Sequence, residues 1–508
     1  MKIFAALYVG SYETALKIFT VDRLNKLKEV ECQRVPIEIV QDIYYNGKIS
    51  KETISKMTEV LKNMKQTIDM YQITDYKIYA GPLVEKADNI LFVINQIHQK
   101  TGMKIEVLSN SEQRFLSYRA VASLPNFDES VSKSAAIIDI GGASLQITLF
   151  INGKVRTTQH IGMGTATVRE SLRQLSQFIN RKEQALQIMN KEINVFINMF
   201  VPEDLQIENL IILGDNLTST VNCLLGKEDN DFIKADEYLN VLKQINADTF
   251  DNFGHIPNMI VDNNDMLESL LLFHKALVDN FKPKNIFTQN VSVNEGMAFQ
   301  YFSSKKQLSV GHDFEQDVLT AAWAIAKRYS SYQPHLKALE YVCSHIFDAM
   351  KKYHGLPKRY KLLVRCVAIL HDCGKYISIA QAPECSYSII MSSEILGLTH
   401  IEREMIATAV KYASKDIVPY ENLANHFTLE EYLAVVQMIA ILRVANALDR
   451  SHKQKFKDVK MCVKKKELLI SVEATDSFVL EKGMFEKSAD FFENVFDIRP
   501  VVKEQLIL

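Results

Sequence analysis

The stretch Ile137-Ile138-Asp139-Ile140-Gly141-Gly142-Ala143-Ser144 decides the fold, since it leads an apolar run with one carboxylate into a glycine turn. A short apolar run that ends on glycine is typical of a buried strand. Glycines without a Cβ atom let backbone N–H groups approach phosphate oxygens, and the Ser144 hydroxyl can donate a further hydrogen bond. Asp139 is suited to hold a Mg²⁺ ion or to orient a water molecule. The stretch predicts a strand ending in a phosphate-binding turn, with an ordinary hairpin as the alternative.

The residues around this stretch alternate between strand and helix patterns. Apolar residues recur at helical spacing in Ile54–Met64 and in Asn89–Gln99. Apolar and β-branched runs predict strands at Lys2–Gly10, Ala15–Phe19, Tyr76–Ala80, Lys104–Leu108 and Ala135–Asp139. We therefore predict an α/β first part, in which helices pack on a sheet.

The pattern changes beyond about Gly311, where long helices follow one another with few strand signals. Leu336–Tyr353 and Tyr360–Leu370 are two such helices, with apolar residues at helical spacing. Residues 458–508 contain alternating runs and then a helix, which indicates a small α/β piece. A chain of 508 residues is too long for one hydrophobic core, so we expect three or four globular units.

The composition is that of an ordinary globular protein, with 47% hydrophobic and 24% charged residues. The net charge of −2 argues against bulk nucleic-acid binding, because an anionic ligand must then be held by local geometry. Seven scattered cysteines without a CxxC pair are typical of reduced thiols. The N-terminal apolar run is too short for a signal peptide, and we expect no stretch of membrane-spanning length. These features predict a cytoplasmic protein that does not bind membranes.

Three further turns follow strand-like runs and contain the small residues that phosphate sites use. Ser109-Asn110-Ser111-Glu112 lies between a strand and a helix, where a carboxylate would border a cleft. Taken alone, Glu112 is more often a first-turn acid that offsets the helix dipole. The glycine turns at residues 162–164 and at Gly214 can supply backbone donors, or they can be plain turns.

Taken in this order, the turns resemble those of the Ppx/GppA family of the actin-like ATPase superfamily, whose members hydrolyse polyphosphate or the terminal phosphate of guanosine pentaphosphate. Asp139–Ser144 is similar to the family's second phosphate motif, Asp-Ile-Gly-Gly-Gly-Ser, and Ser109–Glu112 is similar to its Ser-Gly-x-Glu element. The resemblance implies an α/β, actin-like (ribonuclease H-like) first half with two subdomains, a Mg²⁺ cofactor held by Asp139, and a homodimer. It implies that Glu112 is the catalytic base. It further implies that phosphate is bound by Gly10, Ser11, Gly141, Gly142, Ser144 and Gly214.

Four positions depart from that family pattern. Tyr8 stands where the first motif has a metal-coordinating aspartate, and Glu85 stands where a phosphate-binding arginine is expected. Gln146 replaces the glutamate that ends the second motif, and the turn after Gly214 lacks its second glycine. A metal carboxylate and an arginine each matter by orders of magnitude in phosphoryl transfer. We therefore expect weakened hydrolysis.

A second constellation lies in the helical part, where Leu370-His371-Asp372-Cys373-Gly374-Lys375 places a His-Asp pair at the end of an apolar helix. Together with His335 on an earlier helix, it resembles the HD superfamily, in which such residues and a distant aspartate hold a metal ion. The resemblance implies that His335, His371 and Asp372 are ligands. Asn446 replaces the family's distant aspartate, which leaves Asp449 as the nearby carboxylate. We favour a metal-free domain in which His371 caps a helix or packs in a core.

These patterns predict four parts: actin-like subdomain I at residues 1–125, actin-like subdomain II at 126–305, an all-α HD-like domain at 311–457 and a small C-terminal α/β domain at 458–508. Two functions are compatible with them. The first is a weakened phosphoanhydride hydrolase that acts on inorganic polyphosphate or guanosine pentaphosphate. The alternative is a catalytically degenerate relative that binds a phosphorylated ligand or a partner as a sensor or scaffold.

Overall fold

A computed structural model gives the chain as two compact units, Met1–Asp313 and Phe314–Leu508. The structure describes residues 2–23, 25–124, 126–142, 144–175, 180–213, 217–227, 232–245, 264–288, 291–308, 311–474 and 476–506. The first unit is α/β and the second is mainly helical, as the sequence patterns predict. The exact domain boundaries inside each unit stay predictions.

The first sheet of the first unit has five strands. They are β1 (Ile3–Val9), β2 (Glu13–Val21), β3 (Leu27–Pro36), β4 (Tyr76–Ala80) and β5 (Glu106–Val107). Their order is β3-β2-β1-β4-β5, with an antiparallel meander from β1 to β3 and with β4 and β5 parallel to β1. The predicted hairpin at the N-terminus and the predicted strand at Tyr76–Ala80 are confirmed.

The second sheet repeats this plan. Its strands are β6 (Ser134–Ile140), β7 (Leu145–Ile151), β8 (Lys154–Ile161), β9 (Asn209–Leu213), β10 (Phe232–Lys234) and β11 (Asn285–Thr288). The order is β10-β11-β9-β6-β7-β8, again with an antiparallel meander from β6 to β8 and with β9 and β11 parallel to β6, whereas the edge strand β10 is antiparallel to β11. The turn from β1 to β2 and the turn from β6 to β7 therefore occupy equivalent positions in the two sheets. This internal repeat has no counterpart that is visible in the sequence.

Helices cover both sheets in the described part of the first unit. They are α1 (Ile39–Asn46), α2 (Lys51–Met70), α3 (Ile90–Thr101), α4 (Asn110–Ala122), α5 (Phe127–Val131), α6 (Thr165–Gln174), α7 (Arg181–Phe200), α8 (Leu217–Leu225), α9 (Ala235–Leu242), α10 (Asn264–Phe281) and α11 (Val293–Ser304), with a short 3₁₀ turn at Pro82–Lys86.

The apolar spacing of these elements explains what they bury. In α2, Ile54, Met57 and Leu61 recur at helical spacing and pack in the core of the first sheet. Every residue of β6 is buried, because helices cover the sheet on both faces. Its apolar side chains share one core with β9 and α10. The central strand of the second sheet is thus rigid up to its last residues, Asp139 and Ile140.

Helix α11 approaches α4 at a glycine. A Cβ atom added to Gly296 would lie 2.1 Å from the backbone oxygen of Leu116, which is far inside van der Waals contact. Glycine is therefore required at this crossing. The contact matters for the site described below, because α4 carries several of its side chains.

The second unit is a helical bundle with a small sheet. Its helices are α12 (Phe314–Arg328), α13 (Gln333–Ala349), α14 (Arg359–Leu370), α15 (Ala382–Ser392), α16 (His400–Lys411), α17 (Leu429–Leu448) and α18 (Val479–Phe496), with 3₁₀ turns at Cys373–Tyr376 and Tyr420–Asn422. Strands β12 (Phe456–Lys464), β13 (Glu467–Ala474) and β14 (Arg499–Leu506) form the sheet. The predicted small α/β element near the C-terminus is confirmed.

One helix of the described residues, α17, is long and apolar enough to cross a membrane by length and composition. This finding differs from the prediction that the chain contains no stretch of membrane-spanning length. In the most apolar part of α17, 61% of the residues are buried inside the protein, as in a core helix.

Candidate functional site

The two equivalent turns meet at one cleft of about 380 Å³ in the first unit. Gly10 and Ser11 come from the turn between β1 and β2, and Gly141, Gly142 and Ser144 come from the turn between β6 and β7. Both turns are tight hairpins that are closed by a backbone bond, Gly10 N to Glu13 O at 2.8 Å and Gly141 N to Ser144 O at 2.9 Å. The stretch at Gly141–Ser144 is thus a hairpin that borders the cleft, and its phosphate-binding role stays a prediction. Gly214 lies outside the described residues.

Helix α6 holds the second turn in place. The backbone N–H groups of Thr165 and Ala166 donate to the carbonyl oxygens of Gly141 and Gly142, at 3.0 and 2.7 Å. A Cβ atom on Gly164 would lie 2.4 Å from the Gly141 oxygen, so only glycine allows this approach. The first N–H groups of α6 are therefore used to fix the turn, which gives the cleft a rigid wall.

Arg114 supplies the cationic group at this wall. Its side chain is buried, with 5% of the residue exposed. Its Nη2 atom donates to the Ser144 hydroxyl at 2.7 Å and contacts His160 Nδ1 at 2.7 Å, and its Nη1 atom donates to Gln146 Oε1 at 2.9 Å. Gln146, which departs from the family pattern, thus acts as a partner of Arg114. A buried guanidinium beside a glycine turn is well suited to an anionic ligand.

Arg114 is not among the residues that the sequence patterns predict for the site, although the sequence contains a signal for it. Asn110, Gln113, Arg114 and Ser117 recur at the spacing of one helical face, and all four line the cleft. Such a polar stripe on a helix resembles a solvated face when the sequence alone is available. The fold turns it into a wall of the site.

Asp139 lies at the end of β6 and reaches the cleft as predicted. Its residue is 8% exposed, and its Oδ2 atom has no hydrogen-bond partner among the described residues. Burial raises the pKa of Asp139, although the Arg114 charge and a hydrogen bond from Ser117 act in the opposite direction. An unpartnered carboxylate oxygen in a cleft is suited to a divalent cation or to a water molecule.

Tyr8 fills the place of the expected metal aspartate. Its hydroxyl donates to Gln113 Oε1 at 2.9 Å, and both side chains line the cleft. Burial, with the nearby charges of Asp139 and Glu13, raises the pKa of the Tyr8 phenol well above its ordinary value. The phenol stays neutral at physiological pH and contributes no ligand charge to a metal ion.

Glu112 and Glu85 do not line the cleft. The Glu112 carboxylate accepts hydrogen bonds from the Ser109 backbone N–H at 2.9 Å and from the Ser109 hydroxyl at 2.7 Å, which forms a capping box at the start of α4. Glu85 is exposed on the 3₁₀ turn, and its neighbour Lys86 lines the cleft instead. Lys86 is exposed as well, so a cation and not Glu85 lies at the edge of the cleft. The expected effect of Glu85 on the phosphate site stays a prediction.

A second carboxylate in the cleft belongs to Glu13. Its Oε1 atom accepts from Arg34 at 2.6 Å, and its Oε2 atom is buried with no hydrogen-bond partner in the described part of the chain. Glu13 thus resembles Asp139 in having one oxygen available. The two residues come from equivalent turns of the two sheets.

The other predicted ligands lie together in the second unit. His335, His371 and Asp372 offer ligand atoms that all lie within 4.8 Å of one another, and we call these three residues the His-Asp cluster. Burial lowers the pKa of His371 to about 4, so this ring is neutral at physiological pH. Asp449 contacts His335 Nδ1 at 2.7 Å.

Comparison with known protein families gives matches along most of the chain. The sequence profile of the Ppx/GppA phosphatase family matches residues 18–305. The profile of Ppx/GppA phosphatase domain III matches residues 320–488. The two matches fall in the first and the second unit, respectively.

A curated relative and several solved structures are also similar. A bifunctional 3-dehydroquinate synthase/phosphatase of Fusobacterium nucleatum is 23% identical over 184 residues, which are 35% of this chain and 27% of that protein. The chain therefore spans about a quarter of the length of this relative. An exopolyphosphatase from Cytophaga hutchinsonii is 15% identical, with a TM-score of 0.50 over 61% of this chain and all of that one. A family member from Aquifex aeolicus covers 61% of this chain and 99% of its own, at 15% identity and a TM-score of 0.48. At 15% identity, the likeness to the Cytophaga hutchinsonii structure shows the fold alone.

Proposed function

This chain belongs to the Ppx/GppA phosphatase family, and we propose that its cleft binds the end of a phosphate chain and slowly hydrolyses the terminal phosphoanhydride bond. The substrate would be inorganic polyphosphate or guanosine pentaphosphate. One observation carries the proposal: Arg114, the glycine turn with Ser144, and Asp139 line the same cleft. That arrangement combines a cation, a glycine backbone without Cβ atoms that an anion can approach closely, and a carboxylate.

Phosphoryl transfer depends mainly on positioned charge around the reacting phosphate. Arg114 is fixed from two sides by Gln146 and Ser144, so its guanidinium needs little reorganisation when an anion arrives. Lys86 adds a further cation to the cleft, which is also lined by Lys17 and Arg34, paired with Glu295 and Glu13, respectively. These groups bind and orient the phosphate, and they stabilise the negative charge that develops on its oxygens.

A Mg²⁺ ion fits the residues present, because Asp139 keeps a buried oxygen without a partner. When bound, such an ion would neutralise phosphate charge and polarise the bond that breaks. Tyr8 removes one carboxylate from the expected ligand set, and its neutral phenol occupies that space. The reaction should therefore be slow in comparison with a site that has both aspartates.

Water activation needs a carboxylate that faces the phosphate. Glu13 and Asp139 line the cleft and each has one unpartnered oxygen, whereas the Glu112 carboxylate is held by Ser109 in the capping box. We assign the proton-accepting role to Glu13 or Asp139. The earlier expectation that Glu112 is the base stays a prediction, and the assay below tests it.

A second function, binding without hydrolysis, is favoured by the Tyr8–Gln113 hydrogen bond. This bond joins β1 to α4 with two neutral groups at the place where a metal ligand is expected. A cleft of this kind can hold a phosphorylated ligand and report its presence. A cytoplasmic location and a homodimer stay predictions for either function.

The discriminating experiment measures phosphate release from long-chain polyphosphate and from guanosine pentaphosphate, with Mg²⁺ and K⁺. We expect slow release that Asp139→Asn reduces by at least tenfold and that Glu112→Gln leaves within about threefold, provided that Glu112→Gln keeps its thermal stability. A loss of release in a folded Glu112→Gln variant would restore Glu112 as the base. Tight binding of polyphosphate without any release would favour the sensor function.

A further inference from the structure

Three cross-strand neighbours of the second sheet form one row of polar side chains. In the strand register, Asp139 of β6 lies opposite Gln146 of β7, and Gln146 lies opposite His160 of β8. Residues that are directly opposite in antiparallel strands point to the same face of the sheet. We call these three residues the polar row. Its inner end is the buried Asp139, and its outer end is the exposed His160 on the edge strand β8.

Helix α4 crosses the polar row with two side chains that lie one turn apart. Ser117 forms a hydrogen bond with the Asp139 carboxylate at the inner end. Arg114 lies three residues earlier on the same helical face. It donates from Nη1 to Gln146 Oε1 at 2.9 Å and from Nη2 to His160 Nδ1 at 2.7 Å. The guanidinium is therefore held over the outer part of the row.

His160 is a neutral acceptor in this arrangement. A guanidinium has donors and no acceptor, so Arg114 Nη2 donates and His160 Nδ1 accepts. The imidazole proton then lies on Nε2, and the ring carries no charge. Because His160 is exposed at the edge of the sheet, its replacement should leave the core intact.

The partners of Arg114 are not those that charge alone would select. A guanidinium and a buried carboxylate that belong to the same cleft attract each other strongly. Arg114 nevertheless donates to three uncharged groups, the amide of Gln146, the ring of His160 and the hydroxyl of Ser144. The Asp139 Oδ2 atom has no hydrogen-bond partner among the described residues. The uncharged acceptors therefore hold the guanidinium away from this oxygen.

We propose that His160 is a positioning residue of the cleft: it anchors Arg114 at the outer end of the polar row and so keeps the guanidinium from pairing with Asp139. Both groups then stay available to a ligand, the guanidinium for phosphate oxygens and the carboxylate for a cation or a proton. A direct ion pair between Arg114 and Asp139 would neutralise both. This role rests on the proposed function for its effect on the rate, but the anchoring of Arg114 can be tested without a substrate.

The first test measures phosphate release from long-chain polyphosphate. His160→Ala should lower release by about tenfold or more, because Arg114 loses its outer anchor. His160→Asn should recover most of this loss, since its amide oxygen reaches the position of Nδ1. His160→Gln places its amide near the position of Nε2 and should recover little. The opposite order, with recovery in His160→Gln alone, would mean that Nε2 contacts the substrate, and it would overturn the positioning role.

Gln159 provides the matched control on the same strand. It precedes His160 and points to the other face of the sheet, where its side chain donates to Thr157 Oγ1 at 2.9 Å. Gln159→Ala should leave release within about twofold of the native rate. A loss as large as that in His160→Ala would show that any change on β8 disturbs the cleft, which contradicts a specific role of the Arg114 contact.

The second test uses thermal melting at pH 7 in chelator-treated buffer, with no ligand. In the native background, Asp139→Asn should raise the melting temperature, because it removes a buried charge. In the His160→Ala background, Arg114 should turn to Asp139, so the same substitution should lower the melting temperature by removing an ion pair. A rise of equal size in both backgrounds would overturn the proposal, whatever the release assay shows. A reversed sign without any release by the native protein would reject the proposed function alone and support the positioning role.

Discussion

At the scale of single residues, Tyr8 is the substitution that most limits the chemistry of the cleft. Its phenol lies among Gln113, Asp139 and Glu13, and it brings neither charge nor a strong ligand. Glu85 departs from the family pattern equally in sequence but lies outside the cleft. Both substitutions replace a residue that the family motif expects in the phosphate site. In the fold, Tyr8 lines the cleft and Glu85 does not.

This difference predicts the outcome of two matched variants. Tyr8→Asp restores a carboxylate beside Asp139, so Mg²⁺-dependent phosphate release should rise by about tenfold or more. Glu85→Arg changes the charge of an exposed residue, and release should stay within about twofold. Initial rates at equal protein concentration and saturating polyphosphate check both. If Glu85→Arg raises release as much as Tyr8→Asp does, residue 85 contacts the bound phosphate chain, which contradicts its position outside the cleft.

Asp139 shows how function and stability oppose each other at one residue. Since burial raises its pKa, the folded state binds its proton more tightly than the unfolded state does, and the ionised form costs stability at neutral pH. Asp139→Asn should therefore raise the melting temperature at pH 7 in chelator-treated buffer. The gain should shrink as the pH falls below about 4, where the carboxyl is protonated in both states. Thermal melting at pH 7 and pH 3.5 checks this, and a lower melting temperature at pH 7 would be the opposite result.

At the scale of elements, the crossing of α4 and α11 positions the cleft wall. Gly296→Ala would place a methyl group against the Leu116 backbone oxygen, and backbone atoms cannot move aside as a flexible side chain can. We expect the free energy of unfolding to fall by about 1 to 3 kcal/mol. Polyphosphate binding should weaken too, because α4 carries Arg114. Denaturant unfolding measures the first effect.

Gly483 provides the control for this prediction. It is also a helical glycine, in α18, but an added Cβ atom would meet no atom within 4 Å. Gly483→Ala should be neutral or should stabilise the protein by up to about 1 kcal/mol, since alanine favours helices. If both variants lose stability equally, the α4–α11 approach is not as close as described.

Elements were predictable from the sequence where the apolar pattern was strong. The strand Tyr76–Ala80 and the helix near Leu370 follow directly from apolar runs and spacing. The equivalence of the two glycine turns was not predictable, because it depends on strand order and not on local sequence. The role of Arg114 was hidden for the same reason. Tertiary packing, and not local propensity, converts a polar helical stripe into a binding wall.

At the scale of the whole molecule, the net charge of −2 gives no overall attraction for an anion, so the cationic side chains that bind it must lie in the cleft itself. Arg114 and Lys86 line the cleft, and the carboxylates of Glu13 and Asp139 are placed beside them. Each described unit has a site of its own: the cleft lies in Met1–Asp313, and the His-Asp cluster lies in Phe314–Leu508. The two sites can therefore be tested by variants that do not overlap.

The measurement that tests the central claim most directly is Mg²⁺-dependent phosphate release from long-chain polyphosphate by the native protein and by Arg114→Lys. Lysine keeps the charge but loses the forked donors that contact Ser144 and Gln146. We predict slow but measurable release by the native protein and a reduction by about 10²- to 10³-fold in Arg114→Lys. Equal rates in the two proteins, with both shown to be folded by circular dichroism, would contradict the assignment of this cleft as the site of hydrolysis.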